Sequence, residues 1–277
     1  MIYEKDLRNF LGYVPDGLPL CNTVHVSGLE IPFLFSRVNE DPVLTILFNG
    51  AVDRAAKPDG IVFQRSKWIG DWGGSVLSLA DPTIVATEGM RLGWGQTPIG
   101  GMYFPHAAAR IASIVSESFG TKLRVYAGSS AGGYQAVAAS LHDPGSWAWV
   151  NNAQFDWSVY EVTREVDRVV KNLEAGEIED LRSRYAWRLA LPDLQRYLGT
   201  LAQVHYEVNG ASEFDMKLQY PVFERLQGEL SVNIYDDAEA GHNPLPREIW
   251  ASKLQGFLNE QRHALSSQDQ QEEGELI

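Results

Sequence analysis

The chain of 277 residues is poor in several things, and each scarcity excludes something. It has one cysteine, Cys21. A lone thiol forms no internal disulfide and offers no cysteine cluster for a structural metal; a small, partly buried hydrophobe is its simplest role. Basic residues are few: 23 Lys and Arg stand against 36 Asp and Glu, a net charge of −13. So acidic a surface repels phosphate backbones and anionic membranes, which argues against nucleic-acid binding as a main role. No run approaches the roughly 18 apolar residues of a membrane span. The opening stretch MIYEKDLRNF carries charges of both signs and no apolar core of signal-peptide length. A soluble, cytoplasmic protein is the expectation. No internal repeat is present, and no pattern calls for a metal or an organic cofactor.

What is there is ordinary globular material, 44% hydrophobic and 21% charged, enough for a full core. Strand-like and helix-like segments alternate, as expected of an α/β fold: a mostly parallel central sheet with helices on both faces. TVHVSGLEIPFLFSRV reads as an antiparallel hairpin, and VLTILFNG (43–50) as a buried strand running into a loop. SVLSLADPT, KLRVYAG, WAWVNNAQ (147–154), AQVHYEVNG (202–210) and LSVNIYDD (230–237) continue the strand series. HAAARIASIVSESFG, AGGYQAVAASLHD and PLPREIWASKLQGFLNE have helical spacing. From about 157 to 200 the alternation stops, and a charged stretch of helical period reads as a helical insertion over one end of the sheet. The expected organisation is a single domain over 1–264. The segment 265–277, which includes SSQDQQEEGELI, reads as an acidic, disordered tail.

One junction does not look like packing. Between a strand and a helix stands Gly128-Ser129-Ser130-Ala131-Gly132, which fits G-x-S-x-G. A strand that must turn sharply into a helix holds the central residue in a strained conformation, and bulky flanking side chains would collide with their neighbours. The hydroxyl of Ser130 is then presented above the sheet, beside free N–H groups at a helix start. Ser129 reads as a small spacer. The plainer reading is a Gly-rich turn with a serine N-cap.

A serine hydroxyl needs a base. Of six histidines, His25 and His205 lie in strand-like runs, His142 ends a helix, His106 begins one, and His263 lies by the acidic tail. His242 instead sits in DDAEAGHNPLP, a Gly- and Pro-bounded loop after the last strand. An acid is needed to orient it. Asp215 and Glu213, in NGASEFDMKLQYP, are the candidates, with Asp215 nearer the helix start. Asp156, one strand earlier, is a further possibility, while Asp236 and Asp237 read as loop caps.

With the chain order Ser130, Asp215, His242, residues 24 to 262 resemble the α/β-hydrolase superfamily. The resemblance implies an eight-stranded sheet, a helical cap after the sixth strand, and two backbone oxyanion donors. One would be the N–H of Ala131, after the nucleophile. The other would come from the loop FNGAVDR; where many members have His-Gly this chain has Asn49-Gly50, so the N–H of Ala51 is the candidate. The aromatic and polar stretches FQRSKWIGDWGGSVLSLADPT, LGWGQTPIGG and NNAQFDW give a weaker resemblance to hydrolase-like proteins of bacterial surface-polysaccharide pathways, in which indoles would face sugars. The expected activity is cleavage of an ester or related acyl bond through an acyl-enzyme, on a small-molecule or carbohydrate substrate. Acyl transfer to a sugar or other alcohol, peptide cleavage, and a non-catalytic binding module on the same fold are the alternatives.

Overall fold

The apolar runs become a single sheet in the computed structural model, which describes residues 1–174 and 176–275. Its strands are β1 (Ile2–Tyr3), β2 (Leu20–Val26), β3 (Leu29–Ser36), β4 (Val43–Phe48), β5 (Ser75–Leu79), β6 (Leu123–Ser130), β7 (Trp147–Ala153), β8 (Ala202–Asn209) and β9 (Gly228–Tyr235). They lie in the order β1-β2-β3-β5-β4-β6-β7-β8-β9. β3 is antiparallel to both β2 and β5, and every other pairing is parallel. The expected eight strands are nine among the described residues. The addition is β1, which pairs Ile2 with Val24 and Tyr3 with His25 at the outer edge of the hairpin.

The helices are α1 (Glu4–Leu11), α2 (Ile69–Trp72), α3 (Pro82–Ala86), α4 (Phe104–Phe119), α5 (Ala131–Leu141), α6 (Thr163–Asn172), α7 (Ile178–Arg184), α8 (Leu191–Leu198), α9 (Tyr220–Phe223) and α10 (Arg247–Glu275). The central strands are buried along nearly their whole length because helices cover both faces. Leu44, Ile46 and Phe48 point to a core shared with α1, α4, α5 and α8. Val43 and Leu47 point the other way, onto Trp250, Leu254 and Leu258 of α10. No helix among the described residues is long and apolar enough to cross a membrane.

Residues 157–200 are a helical insertion between β7 and β8. α8 packs along α5 as the crossover between β7 and β8, and buries Leu191 and Leu194 in the main core. The buried Arg188 ties the segment down: its carbonyl accepts from Tyr134 Oη at 2.9 Å and Trp157 Nε1 at 2.6 Å. At the end of the chain α10 runs to Glu275, and residues 276 and 277 lie outside the described residues. Adding residues to an existing helix needs no nucleation, and Gln and Glu are good helix formers.

Candidate active site

The strand-to-helix turn at the end of β6 is as tight as its composition demands. Ser130 has φ 54° and ψ −125°, a left-handed conformation forced on a non-glycine residue. A Cβ on Gly128 would lie 2.4 Å from the backbone C and O of Gly132. A Cβ on Gly132 would lie 2.9 Å from the carbonyl oxygen of Phe48. The two glycines thus let β4, β6 and α5 meet at one point, and Ser130 is squeezed out above them. Ala131 opens α5, so its N–H belongs to the first turn, whose donors lack intrahelical acceptors.

His242 reaches this turn from the loop after β9. Its Nε2 lies 3.0 Å from Ser130 Oγ, and its Nδ1 lies 2.9 and 3.0 Å from the two carboxylate oxygens of Asp215. An ionised carboxylate only accepts, so Nδ1 carries the ring proton and Nε2 is left to accept from the serine hydroxyl. Asp215 is fully buried and begins a π-helical turn. Phe214 sets its ring edge-on to the imidazole, centroids 5.1 Å apart, and Tyr160 packs edge-on against Phe214. Glu213 is not in this line: it is exposed and pairs with Lys217. Asp156 is also elsewhere, accepting from the N–H and hydroxyl of Ser158; burial raises its pKa. Asp237 caps the turn that carries His242, accepting from the N–H groups of Glu239 and Ala240.

The position of His242 depends on side chains to which the sequence reading gave no role here. Asn209, at the end of β8, donates to the carbonyls of Asp237 (2.7 Å) and Gly241 (2.8 Å) and accepts from Asp237 N–H. Asn152 donates to the carbonyl of Asn243 at 2.8 Å and accepts from Asn209 N–H. Asn151 accepts from Leu245 N–H at 2.7 Å. Asn152 is itself a bulge, with φ 42°, where the β6–β7 register slips beside Ser129 and Ser130. A signal for these anchors was present. WVNNA and EVNG each set asparagine directly after a valine, at a strand's C-terminal end.

On the other side of the nucleophile lies the loop after β4. Gly50 N–H is engaged by Gln64 Oε1 at 3.0 Å, whereas Ala51 N–H has no partner among the described residues. Ser129 is more than a spacer: its hydroxyl accepts from Arg65 Nη2 at 2.8 Å. The Arg65 guanidinium lies over the Trp250 ring, 4.5 Å from its centroid, and burial lowers its pKa to about 10, still charged at neutral pH.

Two of the indoles expected to face sugars, Trp94 and Trp157, are in the core. Trp94 is fully buried and stacked on the equally buried Trp157, and Trp68 packs edge-on to Trp250. Asn151, Asn152 and Gln154 are buried too, and their side chains bond within the chain. A cavity of about 540 Å³ lined by Tyr103, His106, His142, Trp187 and Tyr197 lies apart from Ser130. It adjoins His142 at the C-terminal end of α5, roughly 17 Å along that helix from Ser130. His106 and His142 stack there, while His205 bonds to Ser231 and Glu207. Among the described residues no group of three or more His, Cys, Asp or Glu could hold a metal ion.

No family model matches the chain, and no curated protein matches it. Solved structures do. An acetyl xylan esterase from Paenibacillus sp. R4 superposes with a TM-score of 0.57 at 13% identity, covering 93% of this chain and 92% of its own. The capsule O-acetyltransferase of Neisseria meningitidis serogroup A gives 0.56 at 12% identity, over 85% and 96%. A dienelactone hydrolase from Anabaena variabilis gives 0.53 at 12% identity, over 88% and 97%. The chain has the α/β-hydrolase fold. At these identities the likeness is one of architecture, and chemistry resides in the site rather than in the fold.

Proposed function

We propose that this chain is a serine hydrolase that cleaves an ester through an acyl-enzyme intermediate. The observation that carries the reading is the unbroken line from Ser130 Oγ through both nitrogens of His242 to Asp215. Ser130 Oγ attacks the acyl carbonyl while its proton passes to His242 Nε2. The tetrahedral intermediate holds its negative oxygen against the N–H groups of Ala131 and Ala51, each donor worth about 3 kcal/mol. The carbon–oxygen bond to the leaving alcohol breaks, and His242 returns the proton to it. A second nucleophile then enters by the same route and frees Ser130. Asp215 keeps the imidazole in one tautomer and stabilises the imidazolium. A non-catalytic module would not need a buried carboxylate aligned with this histidine.

Transfer to an alcohol is the second reading, favoured by the named activity of one structural neighbour, the capsule O-acetyltransferase. It differs only in whether water or a hydroxyl accepts the acyl group. An acylated carbohydrate is the substrate class we favour; the support is the names of that neighbour and of the acetyl xylan esterase. We read residues 1–264 as one catalytic unit acting in the cytoplasm, on the strength of its single cysteine. A panel of acyl esters including acetylated sugars, assayed with and without added acceptor sugar, tests all of this. Ser130→Ala abolishes turnover and labelling by a fluorophosphonate probe; labelling that survives the substitution removes Ser130 as nucleophile.

A further inference from the structure

An oxyanion donor is effective only if it is already aimed where charge develops. The hydrogen bonds around the loop after β4 bear directly on this. The carbonyl of Asn49 accepts from Gln135 Nε2 at 3.1 Å. Gly50 N–H, in the same peptide unit, donates to Gln64 Oε1 at 3.0 Å. In the next unit, the carbonyl of Gly50 accepts from Asn49 Nδ2 at 3.1 Å. In the third, the carbonyl of Ala51 accepts from Gln64 Nε2 at 3.1 Å, and Val52 N–H donates to the carbonyl of Arg91 at 2.9 Å. Three consecutive units offer six polar groups, and five are bonded; Ala51 N–H alone has no partner among the described residues.

The direction of that one N–H follows from peptide geometry. In a planar trans peptide the N–H points opposite to the C=O. The Asn49 amide, by drawing in the Gly50 carbonyl, turns Ala51 N–H the other way. Asn49 cannot swap its amide ends without loss, because its Oδ1 accepts from Asp81 N–H at 3.0 Å. The loop also lies against the nucleophile: a Cβ on Gly50 would be 3.9 Å from Ser130 Cβ and 3.3 Å from the Ser129 carbonyl oxygen. Gln135 links the two sides of the site. The same Nε2 that holds the Asn49 carbonyl also donates to the Ala131 carbonyl at 3.2 Å, in the residue whose N–H is the other donor. Two of the three amides meet a donor and an acceptor demand at once, which an aspartate or glutamate cannot do.

We propose that Asn49, Gln64 and Gln135 are positioning residues that hold Ala51 N–H as the second oxyanion donor, in register with Ala131 N–H. The proposal rests on the serine-hydrolase reading and assigns that site its supporting amides. Gln64 gives the cleanest test because its side chain is only partly buried. Gln64→Met keeps the volume and removes both bonds. Hydrolysis of p-nitrophenyl acetate is measured per active site, with sites counted by fluorophosphonate labelling.

Losing a whole donor costs about 10²- to 10³-fold in kcat, so loosening one costs about 5- to 50-fold. KM stays within about twofold, because the loss falls on the transition state. A purely structural role would instead lower the melting temperature and the count of labelled sites and leave kcat per site alone. If Gln64→Met does not fold, Gln64→Glu carries the test, since it retains the acceptor for Gly50 N–H and loses only the bond to Ala51. A folded variant with wild-type kcat per site overturns the brace while leaving the hydrolase standing. A wild-type protein with neither turnover nor labelling at Ser130 overturns both.

Discussion

Asp215→Asn separates Asp215 from Glu213, two of the acids that the sequence left open. In the resting site the Asp215 carboxylate faces His242 Nδ1 at 2.9 and 3.0 Å, with no exposure to water. During acylation the imidazole gains a proton, and the pair becomes a buried ion pair. Two unit charges about 4 Å apart at an effective dielectric near 20 attract by about 4 kcal/mol. Asparagine forfeits that attraction and can also present its NH₂ to the ring, which would favour the wrong tautomer. At about 1.4 kcal/mol per decade, kcat falls roughly 10³-fold. The assay is steady-state hydrolysis of p-nitrophenyl acetate, with circular dichroism to establish that the variant is folded. Glu213→Gln is the control: that side chain is solvent-exposed and paired with Lys217, so its kcat stays within about twofold. A folded Asp215→Asn variant that loses less than tenfold, or an equal loss in Glu213→Gln, refutes the assignment.

Three further outcomes are expected. Gly128→Ala places a methyl 2.4 Å from the Gly132 backbone and lowers stability by about 3 kcal/mol or prevents folding, as thermal melts would show. Asn209→Ala leaves the Asp237 and Gly241 carbonyls unbonded and frees the His242 loop; kcat falls by about 10²-fold, as for a misplacement of about 1 Å, while a melt shows the remaining fold intact. Burial holds the pKa of His142 at about 3, so it is neutral when folded but protonates near 6.5 when unfolded. The unfolded state therefore binds the extra proton, and stability drops as pH falls from about 6.5 toward 3, by about 2 kcal/mol at pH 5; urea titrations at pH 5 and 8 should show this slope reduced in His142→Gln.

Periodicity carried the architecture well because it records burial directly. The run at 43–50 is apolar on both faces since helices cover both, and the alternation at 23–38 marks a hairpin at the sheet's edge. Composition, which describes solvation rather than backbone conformation, is silent on the path of the acidic end, where α10 runs to Glu275. The weaker resemblance, rather than periodicity, set the indoles before sugars, and the fold buries Trp94 and Trp157 instead. Trp94 lies in a turn and reads as a loop residue, yet it is stacked on Trp157 in the core. The elbow was legible because its constraint is steric and local: Gly128 and Gly132 are demanded by contacts within a few residues and one neighbouring strand.

The pairing of Asp215 rather than Glu213 with His242 was not legible. Residues two apart on a helical turn point in different directions, and only the placed turn shows which one faces inward. The same holds for the amides at 49, 64, 135, 152 and 209, whose partners lie far away in sequence. Short-range sterics and hydrophobic spacing are written residue by residue, so strands, helices and the strained serine could be found from the chain alone. The contact between Ser130 and His242 spans 112 residues, and that between His242 and Asp215 spans 27. Such distances close only when the sheet has brought the ends of β6, β8 and β9 to one edge, because no local pattern records which loops will share that edge.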